Sequence, residues 1–189
     1  LAGLPGGSRL KQAGYASELH EASDRLGGRC WSIRSFPGQI AEHGGELIDQ
    51  GHTAMRQLTQ ELGFTLDNLL AAQPNGTEDT YYFDGQFYPY ADAVDDLKGL
   101  WQQLHKDTSA ASYPTTYKSF TQRGYELDHM SIAQYLDAYV PGGRRSKLGQ
   151  LLDVAYNIEY GAETSQQSSL NLLYLLGYQG PGNLRIFGK

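Results

Sequence analysis

Cysteine occurs only once in the 189 residues, at Cys30, so neither an internal disulfide nor a cysteine-cluster metal site can form. Long apolar runs are also missing. The densest, Leu170 to Leu176, is far shorter than the roughly 18 residues of a membrane span. Positive charge is in deficit: 15 Lys and Arg stand against 21 Asp and Glu, for a net charge of −6. With a pI near 5.3, the chain is a poor match for a nucleic-acid backbone. His20, His43, His52, His105 and His129 show no metal-ligand spacing. No Ser-His-Asp arrangement, P-loop, internal repeat or low-complexity tract is recognisable. The chain opens on Leu1 without a charged or apolar leader, which reads as an upstream segment having been removed and leaves the compartment open.

What is present suits a folded protein. Hydrophobic residues make up 40% and charged residues 19%, and the length allows one sizeable core or one domain plus part of another. The most informative stretch is Glu18 to Arg29, ELHEASDRLGGR. A strand-like run over residues 15–21 leads to the acidic Glu21, and the loop beyond it closes on Gly27, Gly28 and Arg29. In a dinucleotide-binding βαβ unit, an acidic side chain after the second strand accepts ribose hydroxyls. Glycines let backbone approach the pyrophosphate, and an arginine supplies a forked cation for its charge.

The spacing E-A-x-x-R-x-G-G-R, carried by Glu21, Ala22, Arg25, Gly27, Gly28 and Arg29, resembles that of the FAD-dependent amine oxidases. These include monoamine, polyamine and L-amino-acid oxidases. The resemblance implies FAD as cofactor and makes Gly3, at the end of a G-x-G-x-x-G fingerprint, a cofactor contact together with Glu21, Ala22, Gly28 and Arg29. Ser23 stands where it would face the adenosine phosphate side. In AEHGGELI, Gly44, Gly45 and Glu46 match a segment that passes close to the flavin in that family. Arg25 is expected to be a solvated loop charge, and Cys30 buried and inert. In oxidases of the snake-venom type an arginine near position 47 pairs with the substrate carboxylate. Here Leu47 stands there, and no arginine follows until Arg56. An apolar side chain cannot hold a carboxylate, which tilts the expected substrate toward an amine.

The fold expected is α/β, a truncated Rossmann-like FAD-binding domain (βαβ) with a mostly helical substrate domain containing a β-hairpin. Residues 1–65 would be the partial FAD-binding domain without its first strand, 66–183 the helical region, and 184–189 the start of a returning strand. Residues 1–14 should hold the crossover helix, although Pro5-Gly6-Gly7 departs from the helix formers expected there; each glycine costs about 1 kcal/mol relative to alanine. A short strand is expected over residues 29–36, and residues 40–48 carry the second glycine pair. Thr53 to Leu62 reads as an amphipathic helix stopped by Gly63. TYYFDGQFYPY reads as a hairpin with Asp84-Gly85 at its tip. A helix over residues 92–106 should give way to a polar loop from Asp107 to about Arg123. Ser131 and Gln134 form a capping-box pattern for the next helix. Another helix follows through Leu148 and Tyr156, and Thr164 and Gln167 are the expected caps of the last.

The function implied by the resemblance is oxidation of a primary amine or L-amino acid to the imine, with hydrogen peroxide as coproduct, by an enzyme of which this is the N-terminal portion. No catalytic residue is assigned and no metal is expected. A second reading, favoured by Pro5-Gly6-Gly7, is a flavin-free fragment acting as a binding or assembly domain. A second chain or a homo-oligomer would then complete the fold. A third is an NAD-binding enzyme. Tyr81, Tyr82, Phe83, Tyr88 and Tyr90, with Tyr156 and Tyr160, are expected mostly to pack in a core rather than line a substrate cavity.

Overall fold

In the computed structural model, which describes residues 2–180, 184 and 186, the chain divides into two units, Leu1–Leu66 and Asp67–Lys189. The first begins with helix α1, Gly3–Gln12. Pro5 is tolerated because it sits in the first turn, where its missing N–H has no helical acceptor. Gly7 has a packing role: a Cβ there would lie 3.0 Å from Leu19 Cδ1, so the bare backbone leaves room for that side chain. Gly6 meets nothing within 4 Å, and nothing in the structure explains it. Gly14, at φ +84°, ends the helix.

Residues 15–21 then run without forming a strand, which corrects the strand expected there. A strand of a parallel sheet is held by ladder bonds from its neighbours, and among the described residues none pairs with this segment. The strand expected over residues 29–36 shrinks to two residues, paired with a short strand that sequence reasoning did not foresee. β1, Ser32–Ile33, and β2, Ala41–Glu42, pair antiparallel, with Ser32 opposite Glu42 and Ile33 opposite Ala41. The Ser32 hydroxyl reinforces the pair by donating to the Glu42 carboxylate at 2.7 Å. Helix α2, Thr53–Glu61, ends at Gly63, φ +74°. There Gly63 N–H reaches Gln60 O and Phe64 N–H reaches Thr59 O, a Schellman closure that glycine's left-handed backbone permits. An ion pair between Arg9 and Glu61 links α1 to the end of α2. Both partners are about half exposed, so it contributes under about 1 kcal/mol. No described residue of this unit is fully buried.

The second unit opens with the single turn α3, Leu69–Ala72, whose Asn68 cap accepts from Ala71 N–H. The hairpin of β3, Tyr81–Phe83, and β4, Gln86–Tyr88, follows. Asp84 and Gly85 both take positive φ, as a two-residue primed turn requires. Alternation turns Tyr81, Phe83 and Tyr88 to the core and leaves Tyr82 and Phe87 as an exposed edge-on pair at 5.2 Å.

Helix α4, Tyr90–Ala111, buries Ala93, Leu97, Leu100, Leu104 and Ala111 on one stripe. It packs against α5, Gln122–Asp128, α7, Lys147–Tyr160, and α8, Ser169–Leu176. Helix α6, Ile132–Tyr139, completes the layer against α7 and α8. Its capping box forms as expected: Gln134 N–H donates to Ser131 Oγ at 3.1 Å, and Ser131 N–H donates to the Gln134 side chain at 2.8 Å. Leu127, Ile132, Leu136, Leu152 and Leu172 are fully enclosed, each worth about 1.5–3 kcal/mol relative to exposure. Tyr88 and Tyr156 are core residues, as expected, and Tyr160 lies at the edge.

Two expectations for this unit are corrected. Helix α4 runs five residues past Lys106, and Asp107 is 2% exposed rather than in a polar loop. Its carboxylate accepts from Arg123 Nε at 2.9 Å, Tyr135 Oη at 2.9 Å and Gln103 Nε2 at 2.8 Å, so burial is offset by a full set of donors. The cap of α8 is Ser168, not Thr164 or Gln167. Thr164 instead bonds Asp153, and Gln167 donates to Tyr156 O at 3.0 Å. The returning strand expected over residues 184–189 lies outside the described residues except for Leu184 and Ile186, both buried in the core.

Candidate functional site

The loop after residue 21 is organised by its own side chains. Glu21 Oε1 accepts from Ser23 N–H at 2.9 Å and from Ser23 Oγ at 3.0 Å. These bonds, the backbone one first, hold the Glu21 carboxyl below its usual range, so at neutral pH it is an acceptor-only carboxylate. The Ala22 N–H adds a weaker bond to the same carboxylate, which is exposed to solvent. The loop's far side is pinned by Arg25, half-buried and not the solvated charge expected. Its Nη2 donates to Gly28 O at 2.6 Å and its Nη1 to Cys30 O at 3.4 Å, while the guanidinium lies 4.5 Å over the Trp31 ring. A planar, forked cation meets both demands at once, and lysine would not. Gly27 and Gly28, at φ +106° and +61°, make the reversal that returns the chain to Arg25.

The second glycine pair packs directly on this loop. A Cβ on Gly44 would stand 2.6 Å from the Arg29 carbonyl oxygen, and one on Gly45 would stand 2.6 Å from Cys30 Sγ. The short β1–β2 ladder, extended by His43 N–H to Trp31 O at 2.7 Å, brings the two segments to this distance. Gly44 and Gly45 therefore abut Arg29 and Cys30, and two motifs 15 residues apart become one surface. Cys30 is half-buried, a packing partner of Gly45 rather than a core residue.

Of the residues expected at the cofactor, Glu21, Ala22, Ser23, Gly28 and Arg29 lie exposed on the loop, with Gly44 half-buried and Gly45 and Glu46 exposed beside it. The Arg29 guanidinium has no partner among the described residues. Gly3 begins α1, and a Cβ there would lie 3.9 Å from Leu19 Cδ2, which ties the start of the helix to the segment leading into Glu21. Glu46 makes no bond that links it to the loop. Sequence reasoning missed Arg25 and Trp31 as the loop's clamp; the signal was their spacing of six across a glycine pair. The described residues hold no group of His, Cys, Asp and Glu arranged for a metal, and no helix long and apolar enough to cross a membrane.

A family model described as flavin containing amine oxidoreductase matches residues 1–180. A flavin-containing amine oxidase of Oncorhynchus mykiss is 24% identical, with 99% of this chain aligned to 36% of that protein. Flavin-containing amine oxidase B of Canis lupus familiaris is 25% identical over 98% of this chain and 36% of its own length. Putrescine oxidase of Kocuria rosea is 33% identical over a shorter stretch, 49% of this chain and 20% of that protein. The chain thus spans little more than a third of the length of the amine oxidases it matches end to end.

Proposed function

We infer the function from one premise: the chain belongs to the flavin-containing amine oxidoreductase family. The first unit holds the adenosine end of FAD and contributes to an enzyme that oxidises a primary amine or an L-amino acid. The second unit is the helical part of its substrate domain. The observation that carries this reading is the packing of Gly44 and Gly45 on Arg29 and Cys30, because it joins an acidic loop, a free cation and exposed glycine backbone.

The donor set suits the cofactor. A ribose diol needs an acceptor-only group, and the exposed Glu21 carboxylate keeps acceptor capacity beyond its bonds from Ser23 and Ala22. A pyrophosphate needs a cation without a competing carboxylate, and Arg29 answers to that. Gly28 and Gly44 let a planar group approach the backbone. Arg25 takes no part in binding. It holds the loop's shape through Gly28 O, Cys30 O and the Trp31 ring. When bound, FAD supplies hydride acceptance from the carbon bearing a neutral amine and, on reoxidation by dioxygen, hydrogen peroxide. Leu47, 59% exposed two residues past Gly45, offers no charge to a carboxylate, which favours an amine over an amino acid.

A second reading has its own support. Leu19, Trp31, Phe36, Ile40 and Phe64 are all exposed in the first unit, as in a flavin-free assembly domain covered by a partner. The visible spectrum of the purified protein, run with a peroxide-coupled assay on an amine panel, separates the two. Flavin bands and amine-dependent peroxide support the oxidase. A colourless protein with no flavin uptake would overturn it in favour of the assembly domain.

A further inference from the structure

The segment between α4 and α5, with the end of α5, lines a half-open surface pocket of about 300 Å³ that the cofactor reading does not use, with Tyr117 85% and Phe120 53% exposed. Its walls are the rings of Tyr117, Phe120 and Tyr125 and the side chain of Leu170; Asp128 and His129 supply polar groups. The Phe120 and Tyr125 rings lie 5.8 Å apart, and His129 stacks on Tyr125 at 4.0 Å. His129 Nδ1 is 2.9 Å from the Tyr125 carbonyl oxygen. A carbonyl only accepts, so Nδ1 carries the proton, and in the neutral ring Nε2 is left as an acceptor.

The Asp128 carboxylate makes no hydrogen bond or ion pair among the described residues. It is the last residue of α5. No lysine or arginine lines the pocket; Lys118, outside its lining, holds its Nζ 5.4 Å from the centre of the Tyr117 ring and so competes for that face. Asp128 is exposed; an anion would be repelled by it, whereas a cation would gain a counter-charge that a neutral ligand cannot use. Aromatic faces beside an unpaired carboxylate suit a positive guest.

We propose that this cavity binds a small organic ammonium ion, with Asp128 as counter-charge, Tyr117 and Tyr125 as ring faces, and Lys118 as an internal competitor. The volume is at the small end of ligand pockets, which limits the guest to one ring and a short ammonium arm. The site lies wholly within the second unit and does not depend on the oxidase reading.

The test is calorimetric titration of the intact protein with benzyltrimethylammonium. This ion has no neutral amine form, so it cannot be an oxidase substrate, and its binding reads the cavity alone. Saturable binding is expected, weakened about three- to fivefold by Asp128→Asn and by a similar factor in Tyr125→Leu. Lys118→Gln should tighten it by removing the competing ammonium. Added salt should weaken it, and benzyl alcohol, which is uncharged, should not displace it. Absence of saturable binding, equal affinity in the wild type and the Asp128 and Lys118 variants, or equal competition by benzyl alcohol would overturn the proposal.

Discussion

The two units solve the problem of holding a shape by different means. From Asp67 onward, leucines and tyrosines from five helices and a hairpin meet in one core, with Leu100, Leu104, Leu127, Tyr135 and Leu152 fully enclosed. Up to Leu66 no described residue is buried, and Leu26, Phe36, Ile40 and Phe64 face solvent. The first unit keeps its geometry through glycine backbone, a guanidinium clamp and a Schellman closure. Its constraints are local, whereas those of the second unit are long-range. The difference explains why the residues proposed for the cofactor sit where they do. A loop shaped by its own side chains can leave the Glu21 carboxylate and the Arg29 guanidinium open to solvent, which a packed core cannot.

High pH should separate the units most widely. Burial, then Asp79, pushes the Tyr81 hydroxyl up to about 12. Burial also raises Tyr88, Tyr135 and Tyr156, helped by the Asp96 bond at Tyr88 and by the Asp107 charge at Tyr135. These groups stay neutral in the folded state while the unfolded chain ionises near about 10. Their contribution is therefore whole below that pH and is lost as pH rises through the folded values. Above about pH 10 the second unit should unfold together with the rise of tyrosinate absorbance. Tyrosinate appearing while its helical circular dichroism persists would break the comparison.

Next in size is Asp107→Ala, which strands Arg123 and Tyr135 around an empty acceptor position. Denaturant unfolding of the second unit should lose about 3–5 kcal/mol, with hydrogen exchange in residues 21–31 unchanged. The reverse experiment is Gly45→Ala. Its positive φ and the Cys30 sulfur 2.6 Å from the new Cβ should cost about 1–3 kcal/mol. That cost should appear as faster exchange in residues 21–31 while the second unit keeps its unfolding midpoint. Smallest is Gly6→Ala, where α1 has open space and an ordinary backbone. It should stabilise α1 by about 0.5–1 kcal/mol, read as slower amide exchange in residues 3–12.

What the sequence disclosed follows the same division. The capping box at Ser131, the Asp84-Gly85 turn, the Gly63 stop and the spacing from Glu21 to Arg29 are all written within a few residues, where backbone conformation and single bonds decide. The length of α4 could not be read that way. Asp107 looks like a loop residue until Arg123 and Tyr135, 16 and 28 positions away, supply its donors. The role of Arg25 was hidden for a related reason: it depends on Trp31 and on the Gly27–Gly28 reversal bringing Gly28 O within reach. Residues 15–21 show the opposite failure, since a strand-like composition forms no strand where no neighbour pairs with it.

The most direct test of the central claim is FAD affinity in Glu21→Ala, measured by flavin-fluorescence titration beside the wild type. Hydrogen bonds to a charged group are worth about 1.5–3 kcal/mol. Loss of the ribose acceptor should therefore weaken binding about tenfold or more, with the thermal transition of the second unit unmoved. Equal FAD affinity in the two proteins would contradict the assignment of Glu21 and, with it, the reading of the Glu21–Arg29 loop as the adenosine site.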